Sequence, residues 1–283
     1  MSLQKQTQTC IVCQGVNLRA FWRVLKKCAS CGHCVADINL NSLDFSRIYE
    51  DGYFAGEEYE DYLGDRQVFK RQFEDRLHEV MLYRKEGDLI EIGCAYGFFL
   101  ELAKAFFSVR GFDICRGPVR FAQEQLGLPA SCEDFSRSSV PPESADIVAM
   151  WDTIEHLPRP DLTLQAASQA LRLGGYIFLT TGDIGSLLAR IRRENWRLIH
   201  PPTHLHYFSR RSIQELLRNT GFETVSVNYV GTRRSLGQVA FSLWQVNKGR
   251  PSRLYHLIAR SRLSQFSFVL NTRDIMLVVA RKA

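Results

Sequence analysis

The chain has 283 residues, 45% of them hydrophobic, and its 36 basic and 30 acidic side chains give a net charge of +6. This length and composition are sufficient for one large core with a smaller appended unit, and the charge excess is milder than nucleic-acid-binding proteins usually carry. No apolar run is long enough to cross a bilayer, and residues 1–9 are too polar for a signal peptide. We therefore expect a cytoplasmic protein without membrane contacts, for which nucleic acid is an unlikely partner.

Five of the eight cysteines precede residue 35, and four of them form two Cys-x-x-Cys pairs separated by fourteen residues. Four thiolates at this spacing can converge on Zn²⁺, and so small a segment could not otherwise bury enough surface to fold. The pattern predicts a structural zinc site in a zinc-ribbon-like segment over residues 1–43, with the ligands Cys10, Cys13, Cys28 and Cys31. Cys34 forms the same spacing with Cys31 and stays open as an alternative fourth ligand.

Residues 44–85 are expected to form an aromatic linker followed by a helix. The part over residues 48–62 contains four tyrosines and a phenylalanine among acidic residues. We interpret it as an arm that packs on the main domain through its rings, with a lid over an active site as the alternative. Apolar residues from Val68 to Met81 then recur at helical spacing and lead towards the first strand of the next domain.

The central stretch, residues 88–100, is an apolar run followed by a glycine-spaced turn and an apolar helical start. Gly93 and Gly97 permit a sharp turn and a close approach of a ligand to the backbone. Their spacing differs from the dinucleotide-binding fingerprint, so a pyrophosphate is not the favoured ligand. Glu91, at the end of the strand, suits a cationic or hydroxyl-rich ligand instead.

The segment from Glu91 to Gly97 resembles the first motif of class I S-adenosylmethionine-dependent methyltransferases, although Ala95 stands where that family usually has glycine. The resemblance covers roughly residues 86–230 and the last strand. It implies an α/β fold with a doubly wound, seven-stranded, mostly parallel Rossmann-like sheet, whose last strand is antiparallel. The methyltransferase domain would span residues 86–283, with an insertion at 231–270, and S-adenosyl-L-methionine would be the cofactor.

Asp113 ends the second predicted strand, where a carboxylate can accept hydrogen bonds from ribose hydroxyls or cap the next helix. The resemblance also implies that Asp134 contacts the adenine amino group beside Phe135. Glu133 is the competing acid, because a slip of one residue would exchange the two side chains. The complete set of expected cofactor contacts is Glu91, Gly93, Ala95, Gly97, Asp113, Ile114, Asp134, Phe135 and Trp151.

Polar residues follow the fourth strand, at the sheet edge where ligands of parallel sheets bind. The stretch Trp151–Leu157 resembles the motif found after this strand in many small-molecule methyltransferases. A hydroxyl or activated-carbon acceptor must lose a proton, and we expect the catalytic base to be His156, His206 or Glu155.

A second cluster of potentially reactive side chains consists of His200, His204 and His206, which lie within seven residues. Three histidines suggest a metal, but zinc and iron sites normally include a carboxylate on a fixed element, and two prolines make this segment a loop. We therefore prefer the interpretation implied by the resemblance, a loop that brings His204 or His206 close to the substrate.

The remaining pattern predicts alternating helices and strands. The expected elements are a helix over 161–171, a glycine turn into a strand over 173–181, an amphipathic basic helix over 187–196, a helix from Ser209 to Thr220, and strands over 222–230 and 274–280. The arginine-rich segment 231–268 could shape the substrate pocket, a homodimer interface or a basic patch.

Together these observations predict methyl transfer from S-adenosylmethionine to a small-molecule acceptor. The reaction would be O- or C-methylation, with a sugar nucleotide or a secondary metabolite as the acceptor class. The alternatives are an RNA or protein methyltransferase that uses the zinc ribbon to bind its substrate, and a non-catalytic methyltransferase-like binding protein.

Overall fold

The computed structural model describes residues 9–39, 62–240 and 266–283. The helices are α1 Arg66–Met81, α2 Phe98–Ala103, α3 Arg116–Leu126, α4 Pro160–Ala170, α5 Leu187–Arg192 and α6 Arg210–Asn219. The strands are β1 Leu18–Phe21, β2 Leu25–Cys28, β3 Cys34–Ala36, β4 Asp88–Ile92, β5 Ser108–Asp113, β6 Ala130–Cys132, β7 Ala145–Trp151, β8 Leu171–Gly182, β9 His206–Tyr207, β10 Phe222–Tyr229, β11 Thr232–Ser235, β12 Ser267–Leu270 and β13 Ile275–Lys282.

The main sheet has seven strands in the order β10-β13-β8-β7-β4-β5-β6. Strands β4 to β8 are parallel to one another, whereas β13 is antiparallel to both β10 and β8. The predicted seven-stranded, mostly parallel sheet with an antiparallel last strand is confirmed. The strand order reverses between β4 and β7, which creates the crevice at the carboxyl ends where ligands of such sheets bind.

Helices cover both faces of this sheet, which explains why its central strands are mostly apolar. On one face, α1, α2 and α3 pack through a core that includes Phe73, Phe98 and Val119. On the other face, α4 and α6 pack through a core that includes Leu164 and Leu216. Helix α6 begins with the expected cap, because the Ser209 side chain accepts a hydrogen bond from the Ser212 backbone N–H.

The cysteine-rich segment forms a second sheet with the order β1-β2-β3-β9. Its last strand, β9, comes from the loop that precedes α6, and it pairs antiparallel with β3 through Cys34 opposite Tyr207 and Val35 opposite His206. The ribbon-like segment is therefore joined to the catalytic domain by backbone hydrogen bonds. The predicted domain boundaries at residues 43 and 85 stay predictions.

One sequence-based expectation is confirmed and another needs correction. The predicted glycine turn lies within β8: Gly174 has a φ of +74°, and the pairing with β7 jumps from Leu171 to Tyr176. The chain folds back so tightly there that an added Cβ on Gly175 would lie 2.9 Å from the carbonyl oxygen of Arg172. The helix expected over 187–196 ends at Arg192, since Arg193 has a φ of +51° and a 3₁₀ turn follows.

Other expectations fall partly or wholly on residues that the structure does not describe. Of the aromatic segment 48–62, only Tyr62 is described, and its ring stacks on Phe69 at 4.1 Å between centroids. Of the insertion 231–270, the described parts include the antiparallel pair of strands β11 and β12. The predicted homodimer interface and basic patch in this insertion otherwise lie outside the described residues. Within the described ranges, no helix combines the length and apolarity needed to cross a bilayer.

Candidate active site

A cavity of about 490 Å³ lies at the carboxyl ends of β4, β5, β6 and β7. The side formed after β4, β5 and β6, here called the glycine wall, consists of Gly93, Ala95, Asp113, Ile114, Asp134 and Phe135. The side formed after β7 and at the start of α4, here called the histidine wall, consists of Trp151, Asp152, Thr153, His156, Arg159 and Leu162. Both walls belong to one cavity, so ligands on the two sides can meet.

The turn after β4 has a backbone conformation that favours glycine. Gly93 has a φ of +79°, and an added Cβ would overlap the Thr153 side chain. Gly97 has a φ of +75° and begins α2, where an added Cβ would lie 2.6 Å from Leu128. Ala95, which departs from the family pattern, also has a positive φ of +44°. A left-handed conformation costs a non-glycine residue about 1–2 kcal/mol, which explains the family's preference for glycine there.

Asp113 holds two loops of the glycine wall together. Its Oδ2 accepts a hydrogen bond from the Ala95 backbone N–H at 2.8 Å, and its Oδ1 accepts one from the Cys115 backbone N–H at 2.9 Å. Burial raises the pKa of Asp113, while these backbone donors act in the opposite direction. Each carboxylate oxygen has a second lone pair. The side chain can thus fix the loop and accept a ligand hydroxyl.

Glu91 lies behind the glycine wall and not on the cavity surface. Its side chain is 2% exposed, and among the described residues its Oε2 has no hydrogen-bond partner. Burial, reinforced by Asp113, raises the pKa of Glu91 well above its usual value. Trp151, which does line the cavity, likewise leaves its Nε1 without a partner in the described chain. The Trp151 N–H on the cavity lining therefore fits a site that is completed by a polar ligand.

Seven of the nine expected cofactor contacts line the cavity: Gly93, Ala95, Asp113, Ile114, Asp134, Phe135 and Trp151. Glu91 and Gly97 do not, because the first is buried behind the wall and the second begins α2. Glu133 lines the cavity as well, so the choice between it and Asp134 stays open. The structure also adds Arg159, which sequence patterns did not single out, and Tyr62, the last residue of the aromatic segment for which a lid was the alternative interpretation.

His156 is the only one of the three predicted bases on the cavity lining. Its Nδ1 lies 2.9 Å from the Thr203 carbonyl oxygen. A carbonyl can only accept, so Nδ1 carries the proton and Nε2 keeps a lone pair. Burial lowers the pKa of His156 to about 4, with the neighbouring His200 acting in the same direction. The imidazole is therefore neutral near pH 7.

Glu155 precedes His156 in a short 3₁₀ turn, Ile154–His156, and is buried behind the histidine wall. Its Oε2 accepts a hydrogen bond from Thr181 Oγ1 at 3.0 Å. Burial and the nearby Asp152 raise the pKa of Glu155 to about 8. Without a further ligand, this carboxyl group is largely protonated at neutral pH.

His206 lies away from the cavity, contrary to its expected role as a base. It belongs to β9 and is 2% exposed, and its Nδ1 is hydrogen-bonded to His33 Nε2 at 3.1 Å. Pairing between β9 and β3 turns this side chain towards the cysteine-rich segment. We therefore do not retain His206 as a candidate base.

Two successive backbone hydrogen bonds connect the cysteine-rich segment with the histidine wall. The Ala36 N–H donates to the Leu205 carbonyl at 2.9 Å, and the Leu205 N–H donates to the Glu155 carbonyl at 2.9 Å. Leu205 thus links β3 to the turn that carries His156. Local sequence patterns do not predict these hydrogen bonds, because the bonded residues are far apart in sequence.

The four predicted zinc ligands of the cysteine-rich segment lie close together. The sulfur atoms of Cys10 and Cys31 are 3.5 Å apart, as are those of Cys13 and Cys28. Tetrahedral zinc with Zn–S bonds of 2.3 Å separates its sulfurs by about 3.8 Å, so these thiols fit such an ion. Cys34 lies outside the group of four, and its sulfur donates to the Gly32 carbonyl.

Residues 62–227 match the sequence profile of a family described as a methyltransferase domain, and this match covers more than half of the chain. The chain belongs to the class I S-adenosylmethionine-dependent methyltransferases. The predictions of a methyltransferase, of its fold and of S-adenosylmethionine as the cofactor are thereby confirmed. The non-catalytic alternative is not supported.

Solved methyltransferase structures share the fold. A SAM-dependent methyltransferase from Archaeoglobus fulgidus is 21% identical with a TM-score of 0.54, and the match covers 84% of this chain and all of that chain. A possible histamine N-methyltransferase from Thermotoga maritima is 19% identical with a TM-score of 0.51, over 78% of this chain and 93% of that one. At these identities the likeness concerns the fold alone.

Curated relatives include ubiquinone biosynthesis O-methyltransferases. The protein from Cupriavidus pinatubonensis is 29% identical over 100 residues, which make up 33% of this chain and 40% of that protein. The protein from Azoarcus sp. is 24% identical over 153 residues, 50% of this chain and 66% of the relative. The match thus spans about two fifths of the Cupriavidus protein.

Proposed function

We propose that this methyltransferase transfers a methyl group from S-adenosylmethionine to an oxygen of a small-molecule acceptor within the cavity between the two walls. The observation that carries the proposal is the shared cavity, which joins Asp113 and Phe135 on one side to His156 on the other. Its volume of about 490 Å³ lies in the range of small-molecule sites. The names of the curated relatives support oxygen as the acceptor atom.

The glycine wall is proposed to hold the cofactor. Asp113 would accept hydrogen bonds from the ribose hydroxyls, and Phe135, whose ring packs edge-on against Phe112, would form a wall for the adenine. The acid at 133 or 134 would accept a bond from the adenine amino group. When bound, S-adenosylmethionine supplies an electrophilic methyl group. The protein's main contribution is then positional, and well-oriented reactants can gain about 7–11 kcal/mol.

The histidine wall is proposed to hold and activate the acceptor. A hydroxyl acceptor loses its proton as the new carbon–oxygen bond forms, so a polar group must lie close to that oxygen. His156 meets this requirement, because it lines the cavity and its Nε2 keeps a lone pair. Glu155 lies directly behind it. We assign acceptor activation to the turn that carries these two residues.

Two measurements on the full chain test this proposal. Calorimetric titration with S-adenosylmethionine is expected to show one binding site per chain. A mass-shift screen with catechols, phenols and sugar nucleotides is then expected to give a singly methylated product that is stable to mild base, as an ether is. Absence of binding heat would contradict the cofactor assignment, and methylation of RNA or protein alone would contradict the acceptor class.

A further inference from the structure

In the structure, the His204 side chain lies next to those of Glu155 and His156. One potential metal-ligand atom from each of these residues lies within 4.8 Å of the others. The His156 and His204 rings pack edge-on with centroids 4.6 Å apart. His204 comes from the loop before β9, so the group is assembled from segments about fifty residues apart. The carboxylate that the histidine-rich loop lacks in sequence is supplied by the 3₁₀ turn after β7.

Backbone carbonyls fix both imidazoles in the same tautomer. Nδ1 of His156 donates to the Thr203 carbonyl at 2.9 Å, and Nδ1 of His204 donates to the Leu198 carbonyl at 3.0 Å. In both rings Nε2 therefore keeps its lone pair. Metal-binding histidines are typically held in this way, with the distal N–H given to a carbonyl or carboxylate that orients the ring.

The carboxylate is oriented as well. Thr181 Oγ1 donates to Glu155 Oε2 at 3.0 Å, and the Glu155 side chain is 4% exposed. No lysine or arginine of the described residues forms an ion pair with Glu155. A metal ion bound at this carboxyl would therefore displace no side-chain ion pair among the described residues.

We propose that Glu155, His156 and His204 bind a divalent first-row transition-metal ion at the histidine wall, and that this ion binds the reacting hydroxyl oxygen of the acceptor. Two imidazoles and one carboxylate suit zinc or iron(II) better than magnesium. Three protein ligands leave the fourth position of a tetrahedral ion for that oxygen, and His156 lines the cavity from which the acceptor would reach it. The acceptor class is therefore a small-molecule alcohol or phenol.

Metal binding requires the three ligand side chains to move only slightly towards one another. Bonds of about 2.1 Å in tetrahedral geometry place ligand atoms about 3.4 Å apart, so atoms within 4.8 Å must approach by about 1 Å. The reaction is balanced: the acceptor oxygen bonds to the methyl carbon as the carbon–sulfur bond breaks, and the sulfur keeps the electron pair. Because the Nε2 lone pair of His156 then binds the ion and does not act as a base, the hydroxyl proton leaves to water. The metal is neither oxidised nor reduced.

This inference rests on the proposed function, because it specifies how the same wall binds its acceptor. It is tested with the full chain produced in zinc-supplemented medium, by elemental analysis and by titration with Co²⁺. We expect the wild type to hold two metal ions per chain, one at the cysteines and one at the new site. His204→Gln and Glu155→Gln should each hold one, while the matched control His200→Gln should hold two.

Cobalt distinguishes the two sites without any activity measurement. Thiolate-bound Co²⁺ shows an intense sulfur-to-metal charge-transfer band, which His204→Gln should retain while it loses the weaker visible bands of nitrogen and oxygen ligation. One metal per wild-type chain, unchanged in His204→Gln, would overturn the metal proposal. If that chain still bound S-adenosylmethionine and methylated small molecules, the proposed function would stand. If it held two metals but bound no S-adenosylmethionine, the proposed function would fail instead.

Discussion

The two walls of the cavity are built differently. The glycine wall comes from consecutive strand–turn units between Gly93 and Phe135, and Asp113 ties its loops together by bonds to nearby backbone N–H groups. The histidine wall depends on distant segments, since Leu205 connects Glu155 to β3 of the cysteine-rich segment. The cofactor side is thus locally encoded, whereas the acceptor side is assembled by tertiary contacts. Changes to remote segments should therefore affect the acceptor side first.

The largest effect in free energy is expected from Cys10→Ser, which removes one of the four converging thiols. Structural zinc supplies about 10–16 kcal/mol in small zinc-binding peptides, so the ribbon should lose its metal and its fold. Because β3 then no longer supports Leu205 and the turn behind it, turnover should fall about 100-fold, the order reached by a 1 Å misplacement. Affinity for S-adenosylmethionine should change much less. Metal content, turnover and calorimetry measure the three quantities.

The exposed cysteine Cys132 provides the control for this comparison, because it lies outside the group of four thiols. Cys132→Ser should keep the metal content and turnover of the wild type. Equal losses of cofactor affinity and turnover in Cys10→Ser would show that the two walls are not separately supported.

The next effect is expected from His156→Gln on the histidine wall. Loss of the imidazole should lower kcat about 10²- to 10⁴-fold, because the group next to the acceptor oxygen is removed. The dissociation constant for S-adenosylmethionine should stay within about twofold, since the glycine wall is untouched. His78→Gln, an exposed position on α1, serves as the control. A variant that loses cofactor binding together with turnover would contradict the division between the walls.

The contrast between the two walls also explains which features could be predicted from the sequence. Short-range patterns predicted the strands of the main sheet, the glycine turn, Asp113 and the four cysteines, because each depends on spacing within a few dozen residues. They did not predict the partner of His206, which is His33, or the meeting of His204 with Glu155. Those contacts form because β9 pairs with β3 in the sheet of the cysteine-rich segment. A single sequence contains no local signal for such a long-range pairing.

Local backbone geometry accounts for a smaller miss and for a smaller success. The basic helix after β8 ends early because Arg193 adopts a positive φ, which hydrophobic periodicity does not encode. The glycine turn within β8 was predictable, because Gly174 has the positive φ that favours glycine.

A third prediction concerns Asp113→Asn on the glycine wall. Hydrogen bonds to a charged group contribute about 1.5–3 kcal/mol, so the dissociation constant for S-adenosylmethionine should rise about 10- to 100-fold. At saturating cofactor, turnover should stay close to that of the wild type, which is the reverse of the pattern expected for His156→Gln. Calorimetry and steady-state kinetics separate the two effects, and unchanged affinity would remove Asp113 from the cofactor site.

The smallest effect is expected from Ala95→Gly, which restores the residue usual in the family. Relief of the left-handed conformation at a φ of +44° is offset by the greater freedom of glycine in the unfolded chain. We expect the free energy of unfolding to rise by no more than about 1 kcal/mol, as measured by the urea midpoint. A loss of stability would show that the Ala95 methyl group contributes packing that outweighs the strain.

The most direct test of the central claim is a crystal structure of the full chain with S-adenosylmethionine. The account predicts that the ribose hydroxyls contact the Asp113 carboxylate, the adenine lies beside Phe135 and the methyl group points towards the side of the cavity that His156 lines. A nucleoside bound elsewhere, or one whose methyl group faces away from His156, would contradict it.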